Sequence, residues 1–398
     1  MLKKEGVAKK YKSFFREHNT LVASTTLIGG IVGAGILGIP YVVAKTGFLF
    51  GLIIMILLGI AFLYLHLFVG EIVLRTKQQL QLTGYAGKYL GNKGKMILTV
   101  IMLFSIYAAL TAYLIGEGAI FYSIFKFGSP LLYTAIFFLI GSFIVYKGMK
   151  ATGKAEFFLI SLLLIIVTLI GIFSWKEINF QNYAYNNIRN ILVPYGVVLF
   201  AFIGMAAVPE MQEIIENKKK MKRAIIIGSV IPIFLYIIFT FFILGNIGLE
   251  EFELLQPNER IATIALSIYS QPILGLFANI LAVLAMFTSF LALGMALLQV
   301  YEYDYLLSRK TAFLLTFPLP LLIVMLNLTD FISILGVSGA VAGGLQGIII
   351  ILMYWKAKKL GDRKPEYSLG THKFLGILLI AIFLLGLAYE VFNLFGLA

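Results

Sequence analysis

Apolar runs long enough to cross a bilayer recur along almost the whole of this 398-residue chain. A hydrocarbon core about 30 Å thick takes about 20 residues of helix per crossing. In lipid every backbone polar group needs an internal partner, so runs of this kind fold as helices. Eleven are read, near 20–45, 49–75, 96–125, 130–149, 155–176, 190–211, 223–247, 271–300, 311–328, 330–355 and 373–396. No stretch remains for a soluble domain. Charged residues make up 13% of the chain, against about 25% in soluble proteins, which excludes a water-soluble globular enzyme. The chain has no cysteine, which removes disulfides, thiolate nucleophiles and Cys-based metal sites.

The formal charge of +13, from 32 Lys+Arg against 19 Asp+Glu, would suggest nucleic acid as a partner of a soluble protein. Here its distribution carries the information. Lys3, Lys4, Lys9, Lys10, Lys12 and Arg16 look like a signal-peptide n-region, but the run that follows is too long and lacks a small-residue cleavage site. An uncleaved first span is expected. With the N-terminus in the cytoplasm, 27 of the basic residues fall inside, and five, Lys45, Lys126, Lys176, Arg189 and Arg260, fall outside. The positive-inside rule then sets the orientation, and eleven spans put the C-terminus outside. Lys218-Lys219-Lys220-Met221-Lys222-Arg223 reads as part of this signal rather than as a nucleic-acid or anionic-lipid patch. A multi-pass protein of the plasma membrane is expected, with lipid around it and no nucleic-acid partner. The sequence does not give an oligomeric state.

Inverted repeats are a common way to build two gates around one site. The first span contains Gly29-Gly30-Ile31-Val32-Gly33-Ala34-Gly35-Ile36-Leu37-Gly38-Ile39-Pro40, and the sixth contains Phe200-Ala201-Phe202-Ile203-Gly204-Met205-Ala206-Ala207-Val208-Pro209. Each places glycine in mid-membrane with proline following. Glycine strips the backbone of a shielding Cβ and proline removes a donor, so both interrupt a helical ladder. Freed amides at that depth are tolerated where they line a cavity. Polar connections near 76–95 and 248–270, on opposite sides, add a second echo. The predicted organisation is a basic cytoplasmic tail (1–19), a first five-helix unit (20–176), an extracellular linker (177–189), an inverted second unit (190–356), and a cytoplasmic loop with an eleventh helix (357–398). Helices 1 and 6 are the broken ones. Gly33-Ala34-Gly35-Ile36-Leu37-Gly38 also satisfies the dinucleotide fingerprint G-x-G-x-x-G, but it lies inside an apolar run and the next acid is Glu71. That context is wrong for a Rossmann turn.

These pieces, with Val208-Pro209-Glu210-Met211 in span 6 and Phe287-Thr288-Ser289-Phe290-Leu291 in span 8, resemble the amino acid/auxin permease family. That family lies within the amino acid-polyamine-organocation superfamily, which shares the fold of the bacterial leucine transporter. The resemblance covers nearly the whole chain and implies secondary active transport of an amino acid by alternating access. A zwitterion in the bilayer needs both charges satisfied, and broken helices offer amides at one end and carbonyls at the other. The amides of Gly33, Ala34 and Gly35 are the candidates for the carboxylate. Carbonyls around Phe200, Ala201 and Ile203 are candidates for the amine, with Gly204 in the break and Phe202 and Met205 flanking the substrate side chain or packing on neighbours. Tyr113 and Glu117 stand one turn apart in span 3. The resemblance implies carboxylate contact for Tyr113, and an embedded acid such as Glu117 is a candidate proton carrier.

No cofactor is expected beyond a coupling ion. Ala285, Thr288 and Ser289 share one face of span 8, presenting a carbonyl and two hydroxyls. In the leucine-transporter fold such a face completes a sodium site with carbonyls of the first broken helix, here Gly29 and Val32. The alternative use of these hydroxyls is bonding to their own helix. Some superfamily members substitute a lysine in span 5 and run on protons; no lysine lies between Ala155 and Trp175. Sodium and protons both stay open, with Glu117, Glu71 or Glu156 as carriers in the second case; Glu71 and Glu156 read first as partners of Arg75 and Lys154. A membrane-embedded enzyme would need clustered acids or histidines, whereas Asp304, Asp330 and Asp362 lie in separate connections and His18, His66 and His372 are far apart. A channel is the other alternative.

Overall fold

A computed structural model describes residues 19–148 and 153–394. The basic residues Lys3 to Arg16 and His18 lie outside the described residues, as do the side chains of Lys154, Glu156 and Asp304. Every regular element among the described residues is helical.

The first expected span is two helices, α1 (Asn19–Ile31) and α2 (Gly35–Thr46), bent by 57° across the residues between them. Pro40 sits inside α2 rather than at the break, so the run of glycines makes the interruption. Then follow α3 (Phe48–Leu74) and α4 (Leu82–Phe125). The polar connection expected at 76–95 is continuous with the third span, the two joined at Gly91, whose φ of 74° only glycine adopts without strain. Helix α5 (Pro130–Tyr146) is capped by the Ser129 hydroxyl, which accepts from the Leu132 amide, and α6 (Gly153–Ser174) completes the first half.

Short turns at 175–190 lead to α7 (Tyr195–Phe202) and α8 (Ala207–Ile214). The sixth span is thus interrupted at Ile203–Ala206. Pro209 falls in the first turn of α8, where a missing amide costs no helical bond. Next come α9 (Met221–Asn246), the short α10 (Leu249–Leu254) and α11 (Ala262–Tyr269), and α12 (Pro272–Gln299). Helices α13 (Arg309–Thr316) and α14 (Pro318–Met325) divide the ninth expected span, because Pro318 and Pro320 supply no donors. The chain ends in α15 (Phe331–Ser338), a wider turn at Gly339–Gly343, α16 (Gly344–Leu360) and α17 (Lys373–Leu394).

Among the described residues, eight helical stretches are long and apolar enough to cross a membrane, with α7–α8 and α15–α16 each counted as one, or nine with the bent pair α1–α2 as one span. The expected spans at 130–149 and 311–328 fall on the 17-residue α5 and on the divided pair α13–α14, which is why eleven runs in sequence give fewer full-length helices.

Two polar faces bound the bundle. On one, the Glu71 carboxylate, fully buried, pairs with Arg75 Nε at 2.8 Å and Lys358 Nζ at 2.6 Å, and accepts from the Leu369 amide at 2.7 Å. The segment 361–372 is thereby tied across the ends of α3 and α16. Lys88 pairs with Asp362 there and holds its carboxyl below the usual carboxylate range. On the other face, Lys45 and Arg260 both pair with Glu253. Arg75, Lys88 and Lys358, expected on one side, thus stand at one end of α3, and Lys45 and Arg260, expected on the other, at its opposite end.

Candidate substrate and ion site

The two interruptions meet near the middle of the bundle. A Cβ on Gly35 would stand 2.5 Å from Ala201 Cα and 2.6 Å from its Cβ, so the start of α2 and the end of α7 touch backbone to backbone. Likewise a Cβ on Gly204 would stand 2.4 Å from Ile31 Cγ1, at the end of α1. The amides of Gly33, Ala34 and Gly35 make no backbone hydrogen bond, nor do those of Gly204, Met205 and Ala206. Each break therefore presents a short row of free donors, and helix N-termini carry partial positive charge that favours a carboxylate.

A cavity of about 360 Å³ opens at this meeting point. Of the expected substrate residues, Gly33, Gly35, Tyr113, Phe200, Ile203, Gly204 and Met205 line it. Tyr113 Oη and Ser289 Oγ converge over Gly33, 3.6 and 3.8 Å from where its Cβ would be. Three expected substrate residues do not line the cavity. Ala34 is fully buried and offers only its free amide. Ala201 packs on Gly35, and its carbonyl accepts from Tyr236 Oη at 2.8 Å. Phe202 points away from the cavity: its ring lies 5.2 Å from Tyr236 and 6.2 Å from Phe62, as core packing.

All five expected ion ligands, Gly29, Val32, Ala285, Thr288 and Ser289, line the same cavity. The carbonyls of Gly29 and Val32 receive no amide from Gly33 and Ile36, their partners in an unbroken helix. Thr288 Oγ1 bonds its own helix, 3.1 Å from each of the Leu284 and Ala285 carbonyls, leaving its lone pairs unused. This all-oxygen donor set suits a hard alkali cation. Glu117 is fully buried one turn above Tyr113, and neither carboxyl oxygen has a hydrogen-bond partner; it is not part of the cavity wall.

The cavity extends toward one face of the bundle. Its walls continue past the breaks to Thr26, Met102, Ser105, Glu210 and Ala296, toward the face carrying Glu71. In the opposite direction side chains pack around Tyr41 at the far end of α2. Tyr41 there is 5% exposed, with its ring 5.0 Å from the Arg260 guanidinium, 5.4 Å from Lys45 Nζ and 5.7 Å from Phe252 of α10. Sequence reasoning found Tyr113 on α4 but missed Met102, Ser105, Ile106 and Ala109 on the same helix, Ile160 and Leu163 on α6, and Gln346 on α16. All but Gln346 are small or apolar residues in apolar helices, and only the tertiary arrangement distinguishes them from packing.

Comparison with known proteins agrees with this geometry. The tyrosine-specific transport system 1 of Haemophilus influenzae is 27% identical over 91% of this chain and 94% of its own length. Glutamine transporter 2 of Aliivibrio fischeri is 26% identical over 86% of this chain and 90% of its own. The crystal structure of MhsT in complex with L-phenylalanine superposes with a TM-score of 0.68, covering 92% of this chain and 98% of that one, at 17% identity, a likeness of fold. The model of the tryptophan/tyrosine permease family matches residues 16–389. The broken-helix pieces thus pointed to an amino acid permease of leucine-transporter-type fold, while the family that matches is this one and not the amino acid/auxin permeases. The chain belongs to the tryptophan/tyrosine permease family: it is a multi-pass membrane permease and not an enzyme.

Proposed function

We propose that this permease imports a neutral amino acid by alternating access, with sodium as the coupling ion. The observation that carries the reading is the pair of interrupted helices whose free amides and carbonyls face one cavity. In this reading the substrate carboxylate sits on the amides of Gly33, Ala34 and Gly35, beside the Tyr113 hydroxyl. Carbonyls at the end of α7 take the ammonium. Phe200, Ile203, Gly204 and Met205 bound the side chain. Glu210 is the only charged residue in the cavity wall among the described residues, so an anionic substrate side chain would lack a counter-charge. The volume falls in the usual range of about 300–1,000 Å³ for small-molecule sites. The substrates named for the relatives, tyrosine and glutamine, are both neutral.

Eleven spans in a five-plus-five inverted arrangement, with the N-terminus and the Glu71 face in the cytoplasm, make the described conformation inward-open. Sodium is favoured by the carbonyls of Gly29 and Val32 facing the span-8 hydroxyls. Proton coupling through Glu117 is the second reading, supported by its unpartnered buried carboxyl. The test is purified protein in liposomes, offered tyrosine, tryptophan, phenylalanine and glutamine under separately imposed sodium and proton gradients. Saturable uptake driven by sodium alone is expected. Uptake driven only by a proton gradient would transfer the coupling to the second reading, and non-saturating flux would refute alternating access.

A further inference from the structure

A break in a helix leaves carbonyls as well as amides without partners. In an unbroken helix the Ile31 carbonyl would accept from the Gly35 amide, and the Ala201 carbonyl from the Met205 amide; neither bond is made. The two orphaned carbonyls are claimed by one side chain. Tyr236 on α9, 0% exposed, places its hydroxyl 3.1 Å from the Ile31 oxygen and 2.8 Å from the Ala201 oxygen. Residues 35 in one break and 201 in the other are also in direct backbone contact. The hydroxyl therefore stands where the end of α1, the start of α2 and the end of α7 come together.

We propose that Tyr236 is a positioning residue that fixes the two broken helices relative to one another. It is not in the cavity wall and touches no substrate. A phenol has one proton, so at any moment it donates to one carbonyl while its oxygen faces the other. Moving the donation from Ala201 to Ile31 needs only rotation of the hydroxyl. The pin can thus release one helix end while holding the other, as a bundle that rearranges around its breaks requires. Removing the hydroxyl takes away the one donor that the two buried carbonyls share in an apolar interior, a loss felt at both breaks. The Phe202 ring packed 5.2 Å from Tyr236 holds the aromatic ring in place, so a phenylalanine retains the packing.

The inference rests on the proposed binding reading only for its kinetic part. The decisive experiment is Tyr236→Phe in the full chain in liposomes, read by hydrogen–deuterium exchange of peptides covering 31–37 and 201–208 and by uptake kinetics. Exchange is expected to rise in both segments together, with the rest of the bundle unchanged. KM is expected to rise about tenfold and Vmax to change less than threefold, because the amide cradle is displaced while no substrate contact is lost. Tyr236→3-fluorotyrosine, a stronger donor with the same ring, is the conservative variant and should keep wild-type exchange and KM. Increased exchange in one break alone, in neither, or evenly across the protein would overturn the proposal. Paired exchange without transport of any tested amino acid would uphold the pin and count against the substrate reading.

Discussion

The tightest contact between the broken helices predicts a sharp difference between two neighbouring glycines. A Cβ added at Gly35 meets Ala201 Cα at 2.5 Å, Ala201 Cβ at 2.6 Å and Ala201 N at 3.1 Å. Ordinary contact begins at 3.4 Å, so α2 and α7 must separate by about 0.9 Å, and backbone atoms cannot rotate aside. Overpacking of this kind costs about 1–3 kcal/mol. Replacing a helical glycine by alanine returns about 0.5–1 kcal/mol, so Gly35→Ala should be destabilised by about 1–2 kcal/mol and remain folded. Transport suffers more, because a displacement of about 1 Å in a positioned site costs about 100-fold. Gly33→Ala is the control. Its Cβ meets nothing closer than Tyr113 Oη at 3.6 Å, and Gly33 does not occupy a left-handed conformation. It should melt at or slightly above the wild-type temperature while its methyl group intrudes on the cavity and raises KM. Thermal melts in detergent alongside amino acid uptake in liposomes measure both effects. Gly35→Ala with wild-type uptake, or Gly33→Ala as the less stable of the pair, would refute the contact and the cavity assignment respectively.

Other perturbations separate the remaining roles. Thr288→Ala with Ser289→Ala should raise the sodium concentration for half-maximal uptake at least tenfold; unchanged sodium and pH dependence would sink the ion assignment. Phe202→Ala should lower stability by about 3–5 kcal/mol yet leave the ranking of transported amino acids unchanged, as a substrate competition panel would reveal. Glu71→Ala strands Arg75 and Lys358 around a vacated buried position, at a cost of about 3–5 kcal/mol, and thermal melting should register it. Because the chain lacks cysteine, Asn187→Cys should react with an impermeant maleimide on intact cells, and Lys219→Cys only after permeabilisation; the opposite pattern would invert the orientation.

Gly29 to Gly38 and Ile203 to Pro209 marked the two interruptions in the sequence, because the loss of Cβ shielding and of amide donors is a local property. The faces of the segments beyond them were less legible. Helical phase predicts which side chains share a face only while the helix continues. Across Ile203–Ala206 the phase is lost, so Phe202 turns into the core against Phe62 while Met205, three residues on, lines the cavity. Gly91 shows the converse: a polar connection and an apolar span run together because one left-handed residue joins them. The ion pairs of Glu71 were legible halfway. Arg75 is one turn away in sequence, but Lys358 and the Leu369 amide come from the other end of the chain. Tyr236 was not legible at all, since a tyrosine in a membrane helix announces a need for a partner without naming it.

Scarcity of charge and the cost of the breaks are two sides of one arrangement. An ionised side chain at mid-membrane is expensive to bury, whereas an interrupted helix exposes amides and carbonyls whose partial charges are fixed by the backbone. In the proposed binding mode the amides of Gly33 and Gly35, which line the cavity without a backbone partner, stay open for the substrate. Carbonyls that face the core, such as those of Ile31 and Ala201, must be satisfied or the fold bears the penalty. The structure divides its freed groups along that line: amides toward the cavity are left open, and carbonyls turned to α9 share the Tyr236 hydroxyl. The partition also explains why glycine and not proline sits at the contact. Proline would remove an amide at the break, while glycine at position 35 leaves it in place and lets α7 approach closely enough for one hydroxyl to span both breaks.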